Sequence, residues 1–236
     1  MSNRLAPYAA ALLLLQGLAA CSDGNNVPNR QENASDTASG NGTAVASISE
    51  QRLIVAFGDS LYAGYGVTQQ QSFPARLQRA LAESGIAASV RNAGVSGDTS
   101  AAGLRRLAFT LDGLERKPDL VMVNLGGNDM LRGIDPEETR KNLTAICEEL
   151  KRRGIPILLT GMIAAPNLGK DYADSFNAIY PDLAKRYDAA LYPFFLDGVV
   201  TDPRLMQDDR VHPTAQGIDT IVAKVTPLVA GALAQQ

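Results

Sequence analysis

The chain contains a single histidine, His212, so any reaction that needs an imidazole base must use this residue. Imidazole is the side chain that changes its charge near neutral pH, which suits it to general acid–base chemistry. A carboxylate, Asp209, lies three residues earlier. A lone histidine is also common as a surface or hydrogen-bonded core residue. His212 is therefore a candidate base whose surroundings have to decide its role.

A candidate nucleophile lies near the other end of the chain. Ser60 follows the apolar run at residues 52–57 through Gly58 and Asp59, and glycine permits the tight turn that would expose a hydroxyl group. A serine in this position would serve equally well as a helix cap. The segment is not the Gly-x-Ser-x-Gly elbow of the α/β-hydrolases, because Asp59 precedes Ser60 and a leucine follows it.

Two further loops contain residues that could bind a developing negative charge. Two glycines between residues 92 and 99 would let backbone amides approach a ligand closely, although a flexible turn has the same composition. Another glycine pair precedes Asn128, whose neutral amide is suited to donate to an oxyanion. This second pair is equally compatible with a plain turn.

Strands and helices must position these loops, and the patterns that predict them alternate along residues 51–236. We predict that this segment forms one domain. Apolar runs rich in branched residues predict strands, and amphipathic runs predict helices. The predicted strands are residues 52–57, 88–92, 119–125, 155–160 and 190–194. The predicted helices are residues 73–84, 100–114, 135–153 and 215–233, with one more helix within residues 171–187. Strands separated by helices pair in parallel. We therefore expect an α/β fold, a three-layer α/β/α sandwich of about five parallel strands, with its site beyond their carboxyl ends.

The first 50 residues have a different composition. Residues 9–20 are almost all apolar, which is too short for a transmembrane helix but typical of a secretory signal peptide, here residues 1–20. The run ends Leu18-Ala19-Ala20-Cys21, which resembles a bacterial lipobox, so we expect a lipid anchor on Cys21. An ordinary signal peptide with an incidental cysteine is the alternative. Residues 21–50 are rich in Ser, Asn, Asp, Thr and Gly, which predicts a disordered tether. The predicted location is extracytoplasmic, on a membrane of the cell envelope.

Composition excludes several classes of function. The net charge is −3 and no Lys/Arg cluster is present, which argues against nucleic acid as a partner. No phosphate-binding loop motif occurs, and one histidine with scattered carboxylates is a poor metal site, so we expect no cofactor and no metal. Cys147 falls on the apolar side of a helical pattern, which predicts a buried structural thiol. We expect a monomer.

Together, the order of these segments resembles the four signature blocks of the GDSL, or SGNH, hydrolase superfamily. The blocks are Gly58-Asp59-Ser60-Leu61, Gly97, Gly126-Gly127-Asn128-Asp129 and Asp209-x-x-His212. The resemblance extends from Leu53 to the terminal helix and is closest to the multifunctional thioesterase/lysophospholipase/arylesterase branch. The departures are the lipobox with its tether, and Tyr62 where a small polar residue is common. The resemblance implies a flavodoxin-like SGNH-hydrolase fold.

The resemblance also implies acyl transfer through a Ser-His-Asp triad. Ser60 would be the nucleophile, and His212 would be the base that takes its proton. Asp209 would orient the imidazole and stabilise the imidazolium. Asp208 is a rival for this role that spacing alone separates poorly from Asp209, and the family motif favours Asp209.

The remaining block residues would form an oxyanion hole from the backbone amides of Ser60 and Gly97 and the side chain of Asn128. Asp59 would be structural, holding the turn through backbone hydrogen bonds.

The substrate class is less constrained by the sequence. The segment at residues 162–169 follows a predicted strand and, with Met130 and Leu131, offers an apolar lining for an acyl or aryl group, although simple loop packing explains it equally well. We therefore expect an esterase acting on small acyl esters, thioesters or lysophospholipids. The alternatives are a deacetylase of cell-envelope polysaccharide and a non-catalytic tethered binding module.

Overall fold

The computed structural model describes residues 51–235, in which five strands form one sheet flanked by helices. The strands are β1 (Arg52–Gly58), β2 (Ala88–Gly94), β3 (Leu120–Asn124), β4 (Ile157–Thr160) and β5 (Ala190–Tyr192). The helices are α1 (Ser60–Ala63), α2 (Phe73–Glu83), α3 (Ser100–Asp112), α4 (Gly127–Leu131), α5 (Pro136–Arg152), α6 (Lys170–Asn177), α7 (Ile179–Tyr187) and α8 (Ala215–Ala234). The predicted α/β class with a parallel sheet is confirmed.

All strand pairs are parallel, and their order across the sheet is β2-β1-β3-β4-β5. This is the flavodoxin-like winding order, in which the chain reverses its direction of winding between β1 and β3. Helix α2 packs against α8, whereas α3, α6 and α7 pack around α5. Strand β3 is buried along its whole length, as expected for a strand covered on both faces. The loops after β1 and β3 therefore border the crevice where such sheets place their sites.

Several helix boundaries have clear local causes. Helix α5 begins at Pro136 after the cap Asp135, whose carboxylate accepts the Glu137 amide, and it ends among basic residues. Within residues 171–187, where the sequence predicts one helix, the structure has two helices with a junction at Ala178. Pro181, in the first turn of α7, cannot donate to a carbonyl four residues earlier, so a continuous helix would lose a hydrogen bond there.

Tyr62 and Cys147 both lie in the core. The Tyr62 ring is fully buried, stacks on Phe73 with ring centroids 4.9 Å apart, and shares a hydrogen bond of 2.9 Å with the Thr160 hydroxyl. The departure from a small polar residue at position 62 is therefore accommodated by core packing. The Cys147 thiol is also fully buried, and burial raises its pKa to about 12.

Helix α8 is long and apolar enough to cross a membrane, judged by length and composition alone. One face of it, which includes Ile218, Ile221, Val225 and Val229, is buried in the core of the domain. This burial is what a core helix of an α/β fold requires. The predicted signal peptide and Cys21 lie outside the described residues.

Candidate active site

Ser60 is the first residue of α1, immediately after β1. Asp59 caps this short helix, because its Oδ1 accepts the Leu61 amide at 3.0 Å. Gly94 at the end of β2 lies against the same turn, where an added Cβ would come within 2.3 Å of the Ala63 nitrogen. The close approach of β2 thus requires glycine at this position and holds the Ser60 turn against the sheet edge.

Three of the predicted site residues form a continuous chain of hydrogen bonds. The Ser60 Oγ lies 2.8 Å from His212 Nε2, and His212 Nδ1 lies 2.6 Å from Asp209 Oδ2. The other carboxylate oxygen of Asp209 accepts the backbone amides of Val211 and His212 at 2.9 and 3.0 Å. Asp208 makes no hydrogen bond to the imidazole within residues 51–235. The structure therefore brings Asp209, rather than its neighbour, to the ring.

The Asp209 carboxylate is held in its ionised form. Desolvation raises its pKa, but hydrogen bonds from the His212 ring and from the Val211 and His212 amides outweigh this effect and bring the pKa to about 2. The turn that makes these bonds possible passes through Arg210, whose φ of 57° is in the left-handed region. At neutral pH this site therefore combines a carboxylate with an imidazole that is hydrogen-bonded to a serine hydroxyl.

The three predicted oxyanion donors line one cavity beside this chain of hydrogen bonds. The backbone N–H groups of Ser60 and Gly97 have no hydrogen-bond acceptor within the described part of the chain. Gly97 has a φ of 83°, and its carbonyl accepts Arg132 Nη2 at 2.9 Å. Two backbone donors are thus free to bind a ligand, and both belong to residues that line the same cavity as His212.

Unlike the two backbone donors, the Asn128 side chain already has hydrogen-bond acceptors within the protein. Its Nδ2 donates to Asp59 Oδ2 at 3.1 Å and to the Asp98 carbonyl at 3.0 Å. The side chain thereby connects the loops after β1, β2 and β3. Asn128 can serve as a third donor to a ligand only by exchanging one of these two bonds.

Asp59 is a buried carboxylate, only 2% exposed. Desolvation raises its pKa to about 6, a shift that the Leu61 amide, the nearby His212 and the Asn128 amide oppose and that Asp98 reinforces. The site thus contains two carboxylates whose pKa values are shifted in opposite directions by their surroundings. Sequence reasoning assigned Asp59 to the turn, and nothing in the spacing indicates its contact with Asn128.

Arg106 fixes the relative position of two site loops and was not predicted from the sequence. Its Nε donates to Asp98 Oδ2 at 2.6 Å, and its Nη2 donates to the Gly58 carbonyl at 2.9 Å. The guanidinium lies over the Phe57 ring, 4.1 Å from the centroid. Because Asp98 adjoins Gly97, this arginine connects the end of β1 with the loop that carries a predicted oxyanion donor.

The cavity has a volume of about 650 Å³ and a largely apolar wall. The predicted lining is present: Met130 and Leu131 contribute from α4, and residues 162–166 contribute from the loop after β4. The cavity is also lined by Tyr65, Phe194, Leu196 and Val200, loop positions that no periodic pattern in the sequence indicates. Within residues 51–235, no group of three His, Cys, Asp or Glu side chains is arranged to hold a metal ion.

Comparison with known proteins agrees with the fold and identifies the family of the chain. Residues 56–219 match the model of the GDSL-like Lipase/Acylhydrolase family. An arylesterase of Vibrio mimicus is 42% identical over 170 residues, covering 72% of this chain and 84% of the relative. Thioesterase 1/protease 1/lysophospholipase L1 of Escherichia coli strain K12 is 39% identical over 180 residues, covering 75% and 84%.

A solved structure gives the same result. AlinE4, an SGNH-hydrolase family esterase, is 56% identical and superposes with a TM-score of 0.67 over 78% of this chain and 97% of its own. The fold and the relatives define an esterase of the acylhydrolase class. The chain belongs to the GDSL-like Lipase/Acylhydrolase family. It is therefore an enzyme, which sets aside the alternative of a non-catalytic binding module.

The raised pKa of Asp59 predicts a specific pH dependence of stability. Between pH 3.8 and about 6 the native state binds more protons at the Asp59 carboxyl than the unfolded chain does. Protonation of Asp59 therefore stabilises the native state, and this stabilisation is lost as the pH rises through this window. The full effect is about 3 kcal/mol. We expect the free energy of unfolding of the wild type to rise by up to this amount, relative to Asp59→Asn, as the pH falls from 8 to 4.

Urea denaturation of both proteins across this pH range provides the measurement. In Asp59→Asn the side chain at position 59 no longer titrates, so the pH-dependent part of the difference between the two proteins comes from the Asp59 carboxyl and its interactions with Asn128 and His212. A difference between the two proteins that does not change with pH would contradict the prediction.

Proposed function

We propose that this esterase hydrolyses acyl esters through a Ser60-His212-Asp209 triad and a covalent acyl-enzyme. The observation that carries the proposal is the continuous hydrogen-bonded chain from Asp209 through His212 to Ser60. A serine hydroxyl is too weakly acidic to attack an ester by itself, so a base must take its proton during the attack. His212 Nε2 lies at hydrogen-bonding distance for this transfer, and Asp209 holds the tautomer in which that nitrogen is free to accept.

In the proposed first step, Ser60 Oγ forms a bond to the acyl carbon while its proton passes to His212 Nε2. The carbonyl oxygen becomes an oxyanion. When this intermediate collapses, the bond to the leaving group breaks, and the imidazolium returns the proton to the departing alcohol, phenol or thiol. A water molecule then repeats the sequence on the acyl-enzyme, releasing the acid and restoring Ser60.

The oxyanion is proposed to bind the free N–H groups of Ser60 and Gly97, with Asn128 as a third donor after it releases the Asp98 carbonyl. Each such donor is worth about 3 kcal/mol in the transition state. The absence of a competing acceptor for the two backbone amides within residues 51–235 supports their assignment. Arg132, bonded to the Gly97 carbonyl, would hold that amide in place.

The solved structures lend support to two of these residues. They include one variant of AlinE4 with a serine replaced by alanine and another with an aspartate replaced by alanine. The two replaced positions in AlinE4 are separated by the same number of residues as Ser60 and Asp209 are here. This equal separation supports Asp209, rather than Asp208, as the partner of His212.

The proposed substrates are aryl esters, acyl thioesters and lysophospholipids with acyl chains that fit the apolar cavity. The named activities of the Vibrio mimicus and Escherichia coli relatives support this range. The side chains of Met130, Met162 and Ile163 offer an alkyl chain apolar contact and offer few polar partners to a sugar ring. This lining favours acyl esters over the polysaccharide-deacetylase alternative.

We further propose that Cys21 is lipidated and that residues 21–50 tether the domain to a membrane of the cell envelope. The lipobox-like segment before Cys21 supports this, as does a Bacillus subtilis relative, 28% identical over 159 residues, that is named a lipoprotein.

The triad assignment makes a prediction that separates the two neighbouring aspartates. Ser60→Ala should abolish hydrolysis of p-nitrophenyl esters and labelling by a serine-directed phosphonate while the fold is retained. Asp209→Asn should lower kcat by several orders of magnitude, because the imidazole loses its orienting carboxylate. Asp208→Asn is the matched control and should retain most of the activity.

Steady-state kinetics and circular dichroism of the three variants provide the test. Turnover in a folded Ser60→Ala protein would remove the nucleophile assignment. A severe defect in Asp208→Asn with a mild one in Asp209→Asn would reverse the choice of aspartate.

Asn128→Ala tests the third oxyanion donor. We expect kcat to fall by about two to three orders of magnitude with little change in KM, because the lost bond is formed only in the transition state. If the amide served only to hold Asp59 and Asp98, the variant would unfold at lower urea concentration but keep kcat near the wild-type value. Measuring both quantities on one preparation distinguishes these outcomes.

Cys21→Ala tests the anchor. We expect the variant to move from the membrane fraction to the soluble extracytoplasmic fraction, because it lacks the thiol that would carry the lipid. Its kcat on a soluble ester should equal that of the wild type. A wild-type protein found entirely in the soluble fraction would contradict the proposal.

A further inference from the structure

Tyr65 lies directly over the His212 ring. The two ring centroids are 4.4 Å apart and the planes are inclined by 33°. The tyrosine is 53% exposed, whereas the His212 side chain is only 14% exposed. Tyr65 thus covers one face of the imidazole while its own outer face remains in contact with solvent.

The backbone holds Tyr65 in this position. Helix α1 ends at Gly64, which has a φ of 89°, and the Tyr65 amide turns back to donate to the Ser60 carbonyl at 3.2 Å. The Tyr65 carbonyl accepts Gln207 Nε2 at 2.9 Å, and the backbone amide of the same glutamine donates to the His212 carbonyl at 2.8 Å. One short helical turn therefore presents both the serine and the aromatic ring, and Gln207 connects that turn to the histidine loop.

We propose that Tyr65 is a positioning residue for the esterase reaction, and that its ring face holds the imidazole in line with Ser60 and stabilises the imidazolium. The inference rests on the proposed role of His212 as the base. An aromatic face carries negative electrostatic potential and attracts a cation within about 6 Å of its centroid. The imidazole becomes such a cation when it takes the Ser60 proton.

The other charged groups around His212 leave this face to the tyrosine. Asp209 lies at the Nδ1 edge of the ring, and Ser60 lies at Nε2. Asp59 acts on His212 through its charge from the end of β1, and Arg210 contributes a positive charge to the lining of the same cavity. Of the carboxylates, Asp209 is hydrogen-bonded to the ring edge and Asp59 interacts through its charge, whereas the ring stacking comes from Tyr65. The Tyr65 hydroxyl has no hydrogen-bond partner within residues 51–235, so the proposal requires the ring and not the hydroxyl.

A pair of substitutions separates the aromatic face from simple packing. Tyr65→Phe keeps the ring, whereas Tyr65→Leu keeps an apolar cover of similar reach without the aromatic face. Because His212 is the only histidine, its imidazole signals in NMR spectra are assigned without ambiguity, and the pH of half protonation can be read directly. We expect this pH to be unchanged in the phenylalanine variant and to fall by about half a unit in the leucine variant.

Kinetics on p-nitrophenyl acetate complete the test, because this acyl group is too short to depend on the apolar walls. We expect kcat to be retained in Tyr65→Phe and to fall about threefold to tenfold in Tyr65→Leu, with KM little changed. Equal behaviour of the two variants in both measurements would overturn the proposal. The NMR titration needs no turnover, so it tests the contact even if activity measurements on Ser60→Ala or Asp209→Asn were to refute the triad.

Discussion

The site loops after β1, β2 and β3 depend on the parallel, in-register pairing of β1 with its two neighbours. Gly58 at the end of β1 is aligned with Gly94 on one side and with Asn124 on the other. Because parallel strands end at the same edge of a sheet, residues far apart in the sequence emerge there together. A shift of one residue in either pairing would turn the strand side chains to the opposite face and separate the loops.

The interactions that refine this arrangement are polar and partly buried. Arg106 connects the Gly58 carbonyl with Asp98, Asn128 connects Asp98 with Asp59, and Asp59 caps the helix that begins at Ser60. This network keeps the Asp59 carboxylate buried although desolvation disfavours its charged form. The protein thus loses some stability and gains a fixed site geometry. Asp209 is the counterpart, a carboxylate stabilised in its charged form by local amides and by the imidazole. Different surroundings thus give two carboxylates of one site distinct properties.

The parallel sheet, and the meeting of the signature residues at one of its edges, could be predicted from the sequence. The reason is that strands such as β3 are continuous apolar runs, which have few alternative structures. Prediction from the sequence failed where a local signal was weak. The junction at Ala178 depends on Pro181 in a helix whose amphipathic pattern is otherwise unbroken. The contacts of Arg106, Asn128 and Tyr65 depend on side-chain directions across loops, and no periodicity encodes such directions. Asp208 and Asp209 have similar spacing to His212, and it is the backbone turn through Arg210 that brings the Asp209 carboxylate to the ring.

The buried thiol of Cys147 makes the folded domain indifferent to the redox conditions around it. Its pKa of about 12 leaves almost no thiolate at neutral pH, and full burial keeps oxidants and other thiols away. The one other cysteine of the chain, Cys21, lies outside residues 51–235. The stability of the domain therefore rests on its core and not on a crosslink, so it should be insensitive to the redox potential of its surroundings. Once the domain is folded, a reducing and an oxidising environment therefore leave this thiol in the same state.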